Sequence, residues 1–250
     1  MGRAARSGLR AIFAVQLGIA AILLGADFAR VAPTIAWPGL TRAPALDQPV
    51  RPGDQTRRFE PGRLSPAPAP GLPAQPDMPS RLFFEAVPEV PGTWRVTGTI
   101  RPGDAERFAD WLAAREPVPE ALRLHSPGGS VADALEIGGA IRAAGLDTEI
   151  VAGGICLSAC PYILMGGVGR RISVEAAVGV HQHHYGESPV LPAFLAVEDI
   201  QRSQGDVLAH RIAMGIDPAL MRHSLATPPD EIYLLVPEEL ERYRLATDLR

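Results

Sequence analysis

The chain of 250 residues contains no lysine, so all 24 of its basic residues are arginines. A protein without lysine cannot use a lysine amine as a catalytic base. Cysteine is nearly as scarce: Cys156 and Cys160 are the only two, and because neither follows the apolar N-terminal segment, a lipoprotein anchor is excluded. The net charge is −4 and the arginines form no basic stripe, so nucleic acid is not an expected partner.

The N-terminus has the pattern of an export signal. Arg3, Arg6 and Arg10 precede sixteen uncharged residues, 11–26. The apolar core of a signal peptide has up to about 15 residues and a membrane-spanning helix needs about 20. Residues 1–30 are therefore interpreted as a signal anchor or, alternatively, a cleaved signal peptide. Because positive charge stays in the cytoplasm, we expect a single-pass protein of the bacterial inner membrane whose C-terminal part lies in the periplasm, or a secreted or periplasmic protein if the segment is cleaved.

Proline separates this segment from the rest of the chain. Twelve of the 25 prolines lie between Pro33 and Pro79. Proline removes backbone donors and restricts the residue before it, so residues 31–80 are predicted to form a linker.

Beyond the linker, short apolar runs alternate with helical patterns. Strands are predicted over 93–100, 121–126, 148–153 and 176–184, and helices over 102–115, 131–146, 197–214 and 237–240, with a further helix beginning near 157–160. Strands that alternate with helices predict an α/β domain over 81–250, with a mostly parallel sheet covered by helices.

A glycine turn, HSPGGS (125–130), lies between a predicted strand and a predicted helix. Such a turn leaves backbone N–H groups uncovered near a helix N-terminus, which suits an anion or an oxyanion. The same sequence pattern is also found in ordinary glycine turns that bind nothing.

Ser158 lies at the start of the next helix. Pro161 fits a helix only in its first turn, which puts Ser158 at or beside the N-cap. The residue is then either a simple capping serine or a nucleophile assisted by the helix dipole, with the N–H of Ala159 available to a developing oxyanion.

Three histidines, His181, His183 and His184, follow within the strand predicted over 176–184. On a strand His181 and His183 share a face. This pair could contribute to a metal site, one histidine alone could act as a general base for Ser158, or the cluster could simply be solvated.

The three segments together resemble the Clp protease proteolytic subunit (ClpP) superfamily, whose fold is shared with crotonases. The resemblance rests on SPGGSV (126–131), GGICLSACPYILMGG (153–167) and VGVHQ (178–182), in that order and spacing. It implies a ClpP/crotonase-like ββα superhelix. It also implies a protein or peptide substrate, no cofactor, and a homo-oligomer.

The resemblance assigns roles to individual residues. Ser158 matches the nucleophile, His181 the base, and Gly129 and Ala159 the donors of the oxyanion N–H groups. The acid of the family comes from a later segment, here TPPDEIYLLVPEEL (227–240). Asp230 is the best match, and Glu231 replaces it if the register differs by one.

The cysteines depart from the family pattern. Outside the cytoplasm, Cys156 and Cys160 are expected to form a disulfide that braces the serine turn, because Cys156 lies before the helix start. Two buried thiols are the alternative.

The function predicted from these features is an extracytoplasmic serine hydrolase, specifically a peptidase that works by Ser–His–Asp acyl transfer. Membrane-bound relatives use a Ser–Lys dyad, which a chain without lysine cannot form. Two alternatives stay open: a catalytically inactive binding or scaffold protein of the same fold at the membrane, and a metal-binding domain based on His181 and His183. Acyl-CoA chemistry of the crotonase type fits poorly, because an exported domain does not meet CoA.

Overall fold

The structure is a computed structural model that describes residues 3–31, 55–61, 78–183 and 193–250. The chain divides into two compact units, Met1–Arg42 and Ala43–Arg250. The first contains helix α1 (Arg3–Val31). No helix within the described ranges is both long enough and apolar enough to cross a membrane. His184, the third histidine of the predicted cluster, lies outside these ranges.

The second unit is a mixed α/β domain with helices and a mostly parallel larger sheet, which confirms this part of the predicted fold class. Its elements in chain order are β1 (Thr56–Arg58), β2 (Phe83–Ala86), β3 (Thr93–Thr97), α2 (Asp104–Ala113), β4 (Ala121–His125), α3 (Val131–Ala144), β5 (Asp147–Ile150), β6 (Ile155–Leu157), α4 (Cys160–Met165), β7 (Arg170–Ile172), β8 (Ala177–Val180), α5 (Ala193–Ala213), α6 (Met221–Ala226), β9 (Glu231–Leu234), α7 (Pro237–Arg242) and β10 (Asp248–Leu249).

The larger sheet has the strand order β10-β7-β5-β4-β3-β2 and is parallel except for the β2–β3 pair. All five residues of β4 are buried, as expected for a central strand of a parallel sheet. Leu122 and Leu124 of this strand belong to one core cluster with Phe108 of α2 and with Ile137 and Ile141 of α3.

The smaller sheet has the order β1-β9-β8-β6, in which β6 and β8 are parallel and the other pairs are antiparallel. Strand β1 pairs with β9 through Thr56↔Tyr233 and its neighbours. The Phe59 N–H extends this pairing by donating a hydrogen bond to the Asp230 carbonyl (2.9 Å). The segment predicted as a linker over 31–80 therefore includes a strand of the folded domain.

Strand β6 joins the two sheets. Although it pairs with β8 in the smaller sheet, both of its end residues also bond to Ser126, which directly follows β4: the Ser126 N–H donates to the Ile155 carbonyl (2.9 Å), and the Leu157 N–H donates to the Ser126 carbonyl (3.1 Å). Sequence analysis missed this strand because three residues are too few to show an alternating pattern. Its position brings the end of β6 next to the glycine turn after β4.

Candidate active site

Ser158 occupies a strained turn between β6 and α4. Its φ angle is +61°, a left-handed conformation that non-glycine residues seldom adopt and that costs of the order of 1 kcal/mol or more. The Ser158 N–H donates to the carbonyl of Gly179 on β8 (3.0 Å), which fixes the turn to the smaller sheet. Pro161 lies in the first turn of α4, as predicted, and the N-cap of that helix is Ala159. Ser158 therefore precedes the cap and does not serve as the cap itself.

His181 lies within hydrogen-bond distance of Ser158. Strands β6 and β8 are parallel neighbours with Leu157 opposite Gly179, so the residues that follow the two strands emerge at the same edge. The distance between His181 Nε2 and Ser158 Oγ is 2.7 Å. The structure thus brings together the nucleophile and the base that the sequence predicted.

The imidazole of His181 is buried, with 6% of the residue exposed. Burial lowers the pKa of His181 below its ordinary value, while the backbone groups of Pro229, Glu231 and Pro228 and the charge of Asp230 oppose this shift. The net lowering keeps the ring neutral at pH 7, which is the form that can accept a proton from a serine hydroxyl.

The predicted acid is not in place as a hydrogen-bond partner. Among the described residues no group meets hydrogen-bond geometry with His181 Nδ1, although the backbone groups of Pro229, Glu231 and Pro228 lie near enough to the ring to raise its pKa. Asp230 lies in the turn before β9, its residue is exposed, and its backbone carbonyl bonds to Phe59. Asp230 therefore makes no hydrogen bond to His181, its carboxylate raises the pKa of the ring as a nearby charge, and its role as the acid stays a prediction. Glu231, the alternative, is the first residue of β9, and its side chain makes no hydrogen bond to the ring in the described part of the chain.

The glycine turn after β4 lies against the serine turn. A Cβ atom placed on Gly128 would lie 2.6 Å from Ser158 Cβ and 2.8 Å from the backbone nitrogen of Ala159. Gly128 and Gly129 have φ angles of +98° and +139°. The N–H groups of Gly129 and Ala159, the two predicted oxyanion donors, donate no backbone hydrogen bond to another described residue. Two uncommitted donors thus lie on the turns that surround Ser158.

Cys156 and Cys160 form a disulfide that spans the serine turn. Their Cα atoms are 5.1 Å apart, and both residues are fully buried. Cys156 belongs to β6 and Cys160 is the first residue of α4, so the bridge ties the strand to the helix on either side of Ser158.

His183 does not join His181 in a metal site. The distance between His183 Nε2 and the Tyr162 hydroxyl is 2.9 Å, whereas the Nε2 of His181 is engaged with Ser158. Across the described residues, no three histidine, cysteine or acidic side chains are grouped so that they could hold a metal ion. Burial, together with the charges of Arg211 and His181, lowers the pKa of His183 to about 4, so its ring is neutral near pH 7.

Two residues near the pair were missed by sequence analysis. Phe59 packs against His181 from the supposed linker, and Arg211 of α5 lines a cavity beside it. The sequence around neither residue indicates a position at the site. Phe59 lies in a proline-rich stretch, and Arg211 is one of many arginines on helices.

The fold and the site define an α/β protein with a serine–histidine pair at a strand–turn–helix junction. No known protein family matches the chain, and no curated protein resembles it in sequence. Among solved structures, the membrane-bound stomatin-specific protease 1510-N is 17% identical, with a TM-score of 0.44 over 63% of this chain and 77% of that one. ClpP1 from Listeria monocytogenes is also 17% identical, with a TM-score of 0.49 over 63% of this chain and 90% of that one. These likenesses concern the fold, and the function proposed below rests on the geometry of the chain itself.

Proposed function

We propose that the chain is a serine hydrolase, specifically a peptidase, in which Ser158 is the nucleophile and His181 is the general base. The observation that carries the proposal is the 2.7 Å contact between Ser158 Oγ and His181 Nε2, made by a serine held in a left-handed turn. A structural serine has no need of a strained backbone, whereas a nucleophile gains exposure from it.

The reaction follows from the positions of the groups. His181 Nε2 takes the hydroxyl proton as Ser158 Oγ forms a bond to the carbonyl carbon of the substrate. The negative charge that develops on the carbonyl oxygen is stabilised by the N–H groups of Gly129 and Ala159. When the tetrahedral intermediate collapses, the C–N bond breaks and the leaving amine takes the proton from His181. Water, deprotonated by the same ring, then hydrolyses the acyl-enzyme.

The pair works without a hydrogen-bonded acid. In a triad, a carboxylate on Nδ1 selects the tautomer that leaves Nε2 free to accept a proton. Here Nδ1 has no such partner within the described residues, so burial alone keeps the ring neutral. We therefore assign a dyad, with Asp230 as a supporting charge.

Labelling with a fluorophosphonate probe, mapped by mass spectrometry on the full chain, tests this assignment. We expect Ser158 to be labelled, and Ser158→Ala and His181→Ala to lose the label. Ser203→Ala, which changes a half-buried serine of α5, is the matched control and should label normally. A folded protein that stays unlabelled would support the second candidate, an inactive binding protein, which the missing acid favours.

We also propose that the domain acts outside the cytoplasm, as a periplasmic domain attached to the bacterial inner membrane or released by cleavage. The arginines that precede the apolar N-terminal run support this location, as does the Cys156–Cys160 disulfide, which is typical of oxidising compartments. A reporter enzyme that is active only in the periplasm, fused after Arg250, should be active. Cell fractionation would then separate an anchored form from a released one.

The proposed partners are a protein or peptide substrate and further copies of the chain. The resemblance to the ClpP superfamily supports both. Light scattering of the purified full chain would give the number of copies, and a monomer at micromolar concentration would contradict the oligomer.

A further inference from the structure

A fully buried arginine lines a cavity beside the serine–histidine pair. The cavity has a volume of about 300 Å³. His181 forms part of its wall, so the cavity adjoins the base that contacts Ser158. The rest of the wall includes Tyr162, Gln204, Val207, Arg211, Ser224 and Leu225.

The guanidinium of Arg211 is only partly satisfied. The residue is 0% exposed. Its Nη2 donates to the Ser224 hydroxyl (2.9 Å), and its Cζ lies 5.7 Å from the centre of the Tyr162 ring. Its Nε and Nη1 are buried and have no hydrogen-bond partner in the part of the chain that the structure describes. Donors therefore remain open on two of its nitrogens.

Among the residues that the structure describes, no acidic side chain forms an ion pair with Arg211. The titratable neighbours that its charge affects are His183 and His210. The pKa of each is lowered first by burial and then, among other causes, by the positive charge of Arg211. Buried charges are ordinarily paired, and an unpaired one is unfavourable. The site is thus a buried cation with no counter-ion in the described ranges, next to proposed catalytic groups.

We propose that this cavity binds a carboxylate group of the substrate, with Arg211 as its ion-pair partner. The proposal rests on the proposed function, since it names the substrate class of that same site. A guanidinium with open N–H donors matches a carboxylate in both charge and geometry. Among the described residues Arg211 is the one arginine that lines the cavity, and one positive charge balances one negative charge, which favours a carboxylate over a doubly charged phosphate. The carboxylate can belong to an acidic side chain or to the C-terminus of a peptide.

Equilibrium binding to the full chain distinguishes these two sources. Calorimetry would compare N-acetylglutamate α-amide with its neutral glutamine counterpart, and N-acetylalanine with N-acetylalanine amide. We expect one carboxylate to bind at least tenfold more tightly than its amide, and the pair that shows the difference identifies the source. Arg211→Gln should remove the difference. Equal binding of acid and amide in both pairs would overturn the proposal, as would a preference that survives in Arg211→Gln.

Two further variants keep the test decisive if Arg211→Gln does not fold. Gln204→Glu retains the arginine and adds a carboxylate to the cavity wall, so it should abolish binding of the added carboxylate and raise the melting temperature. Unchanged binding in Gln204→Glu would contradict the proposal. Glu187→Gln tests whether an acid outside the described residues serves Arg211: binding that appears only in this variant would assign the arginine to the protein's own carboxylate and overturn the proposal.

The binding experiment does not depend on catalysis. Ser158→Ala should bind the carboxylate as the unaltered chain does. If the fluorophosphonate fails to label Ser158 while the acid–amide difference persists, the peptidase assignment fails and the carboxylate site stands. If Ser158 is labelled and no acid–amide difference exists, only the carboxylate site fails.

Discussion

Phe59 packs against His181 in a T-shaped arrangement, with 4.6 Å between the ring centroids. The contact comes from a segment far away in sequence, which reaches the base through the pairing of β1 with β9. Burial is the main cause of the lowered pKa of His181. Because Phe59 covers the imidazole, a residue of the predicted linker helps to lower this pKa.

Phe59→Ala should raise the pKa of His181 towards its ordinary value, because water would then reach the imidazole. A base must be neutral to act, so the rate of fluorophosphonate labelling falls as the pH drops through this pKa. The acid limb of the pH–rate profile should therefore move to higher pH in the variant. Phe59→Leu, which keeps an apolar cover, is the control and should stay close to the original profile. An unshifted limb in Phe59→Ala would show that the ring does not exclude water from His181.

Gly128→Ala should disrupt the site, since its added Cβ would lie 2.6 Å from both the Leu157 carbonyl oxygen and Ser158 Cβ. The positive φ angle adds strain. We expect a loss of about 2 kcal/mol in the free energy of unfolding and at least a tenfold slower labelling of Ser158. Gly139→Ala is the matched control: it lies in α3 with nothing within 4 Å of its added Cβ, and should be neutral or stabilising by up to about 1 kcal/mol. Equal unfolding free energies and labelling rates in the two variants would argue against a close approach of Gly128 to the serine turn.

Asp230→Asn should have a small effect, because its carboxylate does not bond to His181. Where an acid orients the base directly, the same change costs about 10⁴-fold in kcat. Here we expect less than about a tenfold change in labelling rate. The charge of Asp230 raises the pKa of His181, so its removal should move the acid limb to lower pH. Glu231→Gln is the control. A labelling rate reduced several thousandfold in Asp230→Asn would show that Asp230 acts as the acid of a Ser–His–Asp triad.

His125 should make the fold sensitive to acid. Burial, with a smaller contribution from the charge of Arg95, lowers its pKa to about 4. The unfolded chain binds this proton near pH 6.5 and the folded chain only near pH 4, so stability is full above pH 6.5 and is lost as the pH falls between these values. The loss is about 1.4 kcal/mol per pH unit for each such histidine.

Urea unfolding at a series of pH values between 7 and 4.5 would measure this slope. His125→Asn retains an acceptor for the Ile155 N–H, which now donates to His125 Nδ1 (3.2 Å), but it cannot be protonated. The slope of stability against pH should therefore be shallower in the variant by about one proton, and the slope that remains should come in part from His183, whose pKa is also about 4. Parallel slopes in the two proteins would contradict the assignment.

Removal of the Cys156–Cys160 disulfide should destabilise the domain and slow the labelling of Ser158. Closing so short a loop contributes about 2 kcal/mol by loss of entropy in the unfolded chain. Because the bridge ties β6 to α4 across the serine turn, Cys156→Ala/Cys160→Ala should lower the melting temperature and the labelling rate together. Treatment with reductant should have the same effect on the original chain and none on the variant. Identical activity with and without reductant would show that the turn holds its shape unaided.

The sequence predicts the long, strongly patterned elements well. The strands at 93–97 and 121–125 and the helices α2 and α3 agree with expectation, because each contains enough residues to show its period. Strands β2, β6, β7, β9 and β10 were missed: each has four residues or fewer, and strands this short form only when paired. Strands β5 and β8 also have four residues, but they overlap the longer runs 148–153 and 176–184 that were predicted as strands. The strand in the linker was missed for the same reason.

The core of the site was predicted, but its surroundings were not. Ser158 and His181 lie directly after paired strands, so spacing along the chain translates into proximity in space. Asp230 lies near enough to His181 for its charge to raise the pKa of the ring, but no sequence pattern reports whether a carboxylate on a turn reaches a ring nitrogen. Phe59 and Arg211 contact the site only because the strand pairing and the helix packing bring them there.

Strand β6 gives the site a mechanical property. Gly129 follows β4 of the larger sheet, whereas Ala159 follows β6 of the smaller one, so the two proposed oxyanion donors belong to different sheets. The gap between them is set by the few hydrogen bonds that join Ser126 to β6. The spacing of the two N–H groups that would bind the oxyanion therefore depends on how the two sheets are connected at Ser126.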